Sequence, residues 1–296
     1  MSSAALLVSR IGLKAEAVKA QELLQRKIPS SGEPLPVIGL GTWQSFDVGS
    51  SVAERQPLEE VLRAFVKLGG RLIDSSPMYR RSEEVIGDLA AKAAVQKELF
   101  LATKVWTTGK AAGIASMGRS MSRMQTKRMD LMQVHNLVDV QTHLATLREW
   151  KAQDRVRYIG ITHYTAGSHA EVARVLEREK VDFVQINYSL MEREADDRVL
   201  RVAQDRGVAV IVNRPLGGGG LFSRVRGKPL PDWGKEFDCS SWAQFFLKWI
   251  VAHPAVTCAI PATSKARHVE DNMQAGVGRL PDATMRQRMV EAVAAL

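Results

Sequence analysis

The stretch GRLID, residues 70–74, followed directly by SSPMYRRSEEVIG, residues 75–87, decides the fold. A short apolar run, RLI, ends on a carboxylate, Asp74, and Ser-Ser-Pro then turns the chain. After Tyr79 comes a dense set of charges. Ser82, with two acids directly behind it, reads as the N-cap of a helix that continues through Gly87. The stretch is thus one strand handing over to one helix.

The same hand-over recurs along the chain. Apolar runs lie at VIGLGTW (37–43), GRLIDSS (70–76), LFLATKVW (99–106), MDLMQVHN (129–136), VRYIGITHY (156–164), VDFVQINYS (181–189), VAVIVNRP (208–215) and VTCAIPATS (256–264). Amphipathic stretches such as PLEEVLRAFVKLGG, HLATLREWKAQ and EVARVLEREK separate them. Alternation of this kind predicts an α/β protein with a parallel sheet covered by helices. Eight units favour a closed (β/α)8 TIM barrel over an open, doubly wound sheet. No GxGxxG follows the first strand, which counts against a dinucleotide fold of the doubly wound kind. Upstream, RKIPSSGEPLPVIGLG has the chemistry of a small hairpin around Ser31-Gly32, placed to plug the barrel floor. At the other end, PDATMRQRMVEAVAAL reads as an extra C-terminal helix. The segment 213–238 is long, Gly-rich and basic, and loops of that length inside a compact domain are often functional.

The chain has 296 residues, 45% hydrophobic and 25% charged, enough apolar material for one such barrel. Its formal charge of +9 is spread along the sequence. There is no Lys/Arg block with interleaved aromatics, so nucleic acid is not an expected partner. Cys239 and Cys258 have neither a metal nor a disulfide spacing, and no apolar run is long enough to span a membrane. Residues 1–27 are set aside as an N-terminal extension, with 14–26 read as a short polar helix, and 28–296 as the barrel domain. The patch AALLV lacks the length of a secretory signal, and Arg10 and Arg26 are not a twin-arginine pair.

Chemistry in such a barrel sits at the C-terminal ends of the strands. Three consecutive ends carry Asp74, Lys104 and His135, with Tyr79 on the loop after the first. Singly, each has a bland reading as a turn, surface or structural residue; their convergence on one rim makes a site. Tyrosine holds its proton at neutral pH and acts as a general acid if its anion is stabilised. A nearby ammonium does that, and a buried ammonium needs a carboxylate in turn. A histidine can orient a carbonyl oxygen by donating a hydrogen bond. The four suit protonation of a carbonyl oxygen while a hydride arrives at its carbon. That chemistry requires no metal but does require a hydride-donating cofactor.

At these residues the sequence resembles the aldo-keto reductases. The resemblance runs from about Ile28 onward through GLGTW (39–43), Asp74 with SSPMYRRSEEVIG (75–87) behind it, ATKVW (102–106), DLMQVHN (130–136), RYIGITHY (157–164), VQINYS (184–189), RPLGGGG (214–220) and AIPATSKARHVEDN (259–272). It implies a (β/α)8 barrel that binds NADP(H) without a doubly wound fold. It makes Tyr79 the proton donor, Lys104 its tuning cation, Asp74 the partner of Lys104, and His135 the residue that positions the substrate carbonyl.

The resemblance also places the cofactor. Thr162, His163 and Gln185 would face the nicotinamide carboxamide, with His163 where the family has asparagine. Asn213 stands where many members stack a tyrosine. Arg214, Leu216, Gly217 and Gly218 would meet the pyrophosphate, helped by Arg224 and Arg226: glycines open the backbone amides to it and arginines clamp it. Ser264, Lys265 and Arg267, at a helix start that favours anions, would hold the 2′-phosphate that separates NADPH from NADH. His268 stands where the family often has arginine. Asp271 and Asn272 would contact adenine. Trp43 and Trp106 fall where the family builds an apolar substrate pocket. A chain ending soon after its last helix implies an open site for broad or bulky substrates.

The expected activity is NADPH-dependent reduction of a small-molecule carbonyl compound, by a monomer, in the cytoplasm. The stretch PSSGEPLPVIGLGTW is shared with relatives that carry twin-arginine signals, so a degenerate export signal and a periplasmic location form the alternative. Two other functions compete: a cofactor-binding accessory subunit with little turnover, and a lyase using Lys104 as a Schiff-base nucleophile.

Overall fold

A computed structural model describes residues 22–296. Its centre is a sheet of eight parallel strands, β3 (Leu40–Gly41), β4 (Leu72–Asp74), β5 (Phe100–Val105), β6 (Met129–His135), β7 (Val156–Thr162), β8 (Phe183–Asn187), β9 (Ala209–Asn213) and β10 (Val256–Ala259), hydrogen-bonded in that order. Each strand falls inside one of the eight apolar runs. Between them run α1 (Val52–Lys67), α2 (Ser82–Ala93), α3 (Lys110–Arg123), α4 (Val140–Ala152), α5 (His169–Arg178), α6 (Val199–Asp205), the short α7 (Gly220–Arg224), α8 (Trp242–Val251) and α9 (Ala266–Gln274), and α10 (Ala283–Ala294) follows the last unit.

The barrel closes between β10 and β3. The Gly39 amide donates to the Ala259 carbonyl (2.8 Å) and the Gly41 amide to the Pro261 carbonyl (3.1 Å). A Cβ on Gly41 would stand 2.7 Å from the Ile260 carbonyl oxygen, and one on Gly39 2.9 Å from that of Leu72. Only glycine admits so close an approach of backbones, which explains the GLG of residues 39–41.

Strand residues alternate between two cores, as the two-residue period requires. Outward-facing Ile73, Leu101, Met132, Val134, Val184 and Val210 pack under the helices. Inward-facing Leu72, Phe100, Leu131, Tyr158, Phe183 and Ala209 fill the barrel together with Ile28 and Leu35. The last two come from the expected hairpin, β1 (Gln25–Lys27) paired antiparallel with β2 (Pro34–Pro36). Its floor contacts are polar at the edge: the Tyr158 hydroxyl donates to Glu33 (2.7 Å), which also pairs with Arg157.

Two local expectations change. Of the polar helix expected over 14–26, residues 14–21 lie outside the described residues, and Gln25 and Arg26 are strand. The Arg26 guanidinium donates to the carbonyls of Val251, His253 and Val256, which ties that segment to the barrel end. Ser82 is the first helical residue of α2 rather than its cap. Arg81 precedes it in helical geometry (φ −89°, ψ −7°), because the turn after Tyr79 brings the chain into helix one residue early, and the Ser82 hydroxyl is buried without a partner. Among the described residues no helix is long and apolar enough to cross a membrane.

Candidate active site

Moving up each strand, the inward positions change from apolar to polar. Phe100 and Ala102 lead to Lys104 on β5, Leu131 and Gln133 to His135 on β6, Tyr158 and Gly160 to Thr162 on β7. The apolar layers below exclude water from what sits above them.

Lys104 and Asp74 are both buried and form an ion pair of 2.6 Å. The Lys104 ammonium also donates to the Ser75 carbonyl (2.7 Å). The other carboxylate oxygen of Asp74 accepts from the amides of Gln133 (3.1 Å) and Gln185 (2.8 Å). So many donors are what a buried carboxylate requires. Burial works against the Lys104 charge, but Asp74 and Tyr79 outweigh it and hold the ammonium up. The Lys104 ammonium lies 5.2 Å from the centre of the Tyr79 ring. Burial raises the Tyr79 phenol, and Lys104 offsets this only in part, because Asp74 stands behind it. Tyr79 therefore keeps its proton at neutral pH.

The His135 ring meets that of Tyr79 edge-on at 6.4 Å. Burial first, then the charges of Lys104 and His163, push its imidazole down to about 3. It is neutral at pH 7. Ser76 Oγ lies 3.3 Å from His135 Nδ1 and also accepts from the Met78 amide (3.3 Å). A hydroxyl that donates to Nδ1 puts the ring proton on Nε2. A stability consequence follows. An unfolded imidazole takes up a proton below pH 6.5, whereas the folded one resists until about 3. The stability held above pH 6.5 is therefore lost as pH falls, by about 1.4 kcal/mol per unit. In urea unfolding at pH 7 and pH 5, His135→Asn is expected to show the smaller loss.

A second cluster joins the first. Thr162 Oγ1 (3.3 Å) and the Asn213 amide (3.4 Å) both donate to Gln185 Oε1. The Gln185 amide nitrogen donates one of its two hydrogens to Asp74 Oδ1 (2.8 Å), so Asp74 fixes the orientation of the amide that the sequence assigns to the cofactor. Asn213 also donates to the His163 carbonyl (3.0 Å), while its own Oδ1 is buried without a partner. His163 Nδ1 accepts from the amides of Tyr164 (3.0 Å) and Thr165 (3.3 Å), which leaves Nε2 as the donor.

The loop after β9 carries Arg214 and Leu216, then Gly217, Gly218 and Gly219 at φ of 59°, 61° and 95°. Three successive positive φ angles require glycine. A Cβ on Gly218 would meet the Arg214 guanidinium at 3.6 Å, so this cation lies against the loop; its Nε is buried and unpartnered. At the start of α9, Ser264, Lys265 and Arg267 line a cavity of ≈ 480 Å³ with Pro57 and Glu60 of α1. Asp271 accepts from Ser241 (2.8 Å) and Gln244 (2.7 Å) at the start of α8. Asn272 is buried beside it.

A cavity of ≈ 510 Å³ is lined by Trp43, Gln44, Asp47, Met78, Tyr79 and Arg80. Trp43 is half-exposed in it; Trp106, also half-exposed at the end of β5, does not line it. Neither tryptophan packs in the core. Sequence reasoning missed Ser76, Gln133 and Arg80. The two-residue alternation carried a signal for Gln133, which precedes His135 by two on the inward face.

The sequence model described as "Aldo/keto reductase family" matches residues 37–290. The chain is 26% identical to the methylglyoxal reductase YeaE of Escherichia coli, over 84% of this chain and 88% of that one. It is 24% identical to the NADP-dependent D-sorbitol-6-phosphate dehydrogenase of Malus domestica, over 87% of this chain and 90% of that one. An aldo-keto reductase from Klebsiella pneumoniae, solved in complex with NADPH, superposes with a TM-score of 0.74 at 25% identity, over 92% of this chain and 95% of that one. With the family's pattern running from the first barrel strand into the last helix, this chain belongs to the aldo/keto reductase family.

Proposed function

We propose that the protein reduces an aldehyde or ketone to an alcohol with NADPH, and that Tyr79 supplies the proton. The observation that carries this reading is the buried Asp74–Lys104 pair beside Tyr79, at the wall of an open cavity. The NADPH-bound relative and the two named reductase and dehydrogenase relatives support it.

The residues present fit the cofactor. Asn213 Oδ1, an orphaned acceptor, suits the carboxamide N–H, and the His163 Nε2 proton suits its oxygen. Arg214 Nε and the glycine backbone suit the pyrophosphate. Lys265 and Arg267 suit the 2′-phosphate. When bound, NADPH supplies a hydride to the carbonyl carbon. The chain's own part is acid catalysis and orientation. His135 Nε2–H holds the carbonyl oxygen, and a neutral ring does so without competing for the proton. Tyr79 gives its proton to that oxygen. The Lys104 ammonium stabilises the phenolate left behind. Asp74 keeps Lys104 charged and in place, an environment unsuited to a Schiff-base amine, which must be neutral to attack.

Tryptophan fluorescence titrated with NADPH and then NADH, followed by NADPH consumption with an aldehyde panel, tests this. Tighter, saturable quenching by NADPH and aldehyde-dependent consumption are expected; a folded sample that binds neither coenzyme refutes it. In the same titration Lys265→Ala is expected to weaken NADPH about tenfold, as loss of one charge-assisted hydrogen bond does, and to leave NADH unaffected. Equal weakening of both coenzymes would remove Lys265 from the 2′-phosphate site.

A further inference from the structure

Arg80, the residue after Tyr79, is held at φ 49°. The turn around it is closed by the Ser82 amide donating to the Tyr79 carbonyl at 3.0 Å. Left-handed backbone costs an ordinary residue about 1–2 kcal/mol and costs glycine nothing. Nine other described non-glycine residues share this backbone region, Gln44 of the same cavity among them, so it is the location of Arg80 that gives its side chain a use. Arg80 lines the same cavity as Tyr79, and among the described lining residues it is the one cation. Its side chain is 83% exposed, and its closest carboxylate, Asp47, stands at 3.7 Å, beyond hydrogen-bonding distance. That loose ion pair with Asp47 leaves the guanidinium donors able to reach into the cavity, where Trp43 and Met78 offer apolar wall and Tyr79 the reacting hydroxyl.

We propose that the preferred substrates are carbonyl compounds bearing an anionic group, a carboxylate or phosphate, and that Arg80 binds that group while the carbonyl lies at Tyr79. A guanidinium matches both anions with two parallel donors. The cavity, ≈ 510 Å³, lies within the range of small-molecule sites and leaves room for a short spacer between anion and carbonyl. Asp47 sets a boundary on the same rim: it repels an anion that strays from Arg80 and holds the guanidinium near the site when no substrate is present. The inference rests on the carbonyl-reduction reading and goes one step beyond it.

The test compares 4-carboxybenzaldehyde with its methyl ester, which share a ring and an aldehyde and differ in charge. D-Glyceraldehyde 3-phosphate against D-glyceraldehyde repeats the comparison with phosphate. The readout is the ratio of kcat/KM, anionic over neutral, at constant NADPH. A ratio of about ten or more is expected for the natural chain, falling about tenfold in Arg80→Gly, mainly through KM. Arg80→Gly relieves the backbone strain, and Arg80→Lys, which keeps the charge, is expected to retain most of the preference. High salt should erode the ratio in the natural chain and leave it flat in Arg80→Gly. A ratio near one in the natural chain, or a ratio unchanged in Arg80→Gly, overturns the proposal while leaving carbonyl reduction intact. Failure to reduce any of the four aldehydes overturns both.

Discussion

Tyr79→Phe is expected to lower kcat for aldehyde reduction by about 10²–10⁴-fold, the range that general acid catalysis contributes. The substitution removes one oxygen from a partly buried ring and keeps its contact with His135, so NADPH should still quench tryptophan fluorescence in the variant. The loss is in transition-state stabilisation: the proton must now come from water, and Lys104 has no phenolate to stabilise. The pH profile gives a second check. Burial raises the phenol above its ordinary value of 10, with Lys104 pulling the other way. Reduction requires the protonated form, so kcat/KM should be level through neutral pH and fall only in strongly alkaline solution. A Tyr79→Phe variant within about threefold of the natural rate, or a natural profile falling near pH 8, would assign the proton to another group.

Breaking the Asp74–Lys104 pair is expected to cost stability as well as activity. Each side chain is almost fully buried. Asp74→Leu leaves an ammonium with only the Ser75 carbonyl, and Lys104→Met leaves a carboxylate with the Gln133 and Gln185 amides. Removing one partner of a buried pair costs about 3–5 kcal/mol, because a charge remains without its counter-charge. Removing both leaves none. The double variant should therefore be clearly more stable in urea unfolding than the sum of the single losses predicts, while remaining inactive. Simple additivity would mean that the two charges do not interact strongly in solution. Asp74→Leu also leaves the Gln185 amide without its acceptor, so cofactor affinity should weaken through Thr162 and Asn213, which share Gln185 Oε1. Lys104→Met keeps that acceptor and should weaken the cofactor less.

Much of this protein is legible in its sequence. Eight apolar runs of strand length, each trailed by a helical pattern, specify eight buried parallel strands, because only a closed or fully covered sheet hides both faces of such runs. The hairpin is readable from its turn residues, and Asp74, Lys104 and His135 from their places at strand ends, with Tyr79 on the loop after the first. These are local signals: period, turn chemistry and position within a unit.

What the tertiary structure decided is which partner each polar group takes, since that depends on residues far apart in sequence. The sequence assigns Gln185 to the cofactor; that its amide is oriented by Asp74, 111 residues away, only the fold shows. Asp271 turns to Ser241 and Gln244 at the start of α8. Trp43 stands half-exposed on the wall of the cavity beside Tyr79. The balance that keeps Tyr79 protonated, burial against Lys104 with Asp74 behind it, exists only once neighbouring strands stand side by side. A sequence determines which residues have the chemistry and which end of a strand they occupy. Desolvation and partnership, which set what that chemistry does, arise from packing between strands that the chain brings together only when it folds.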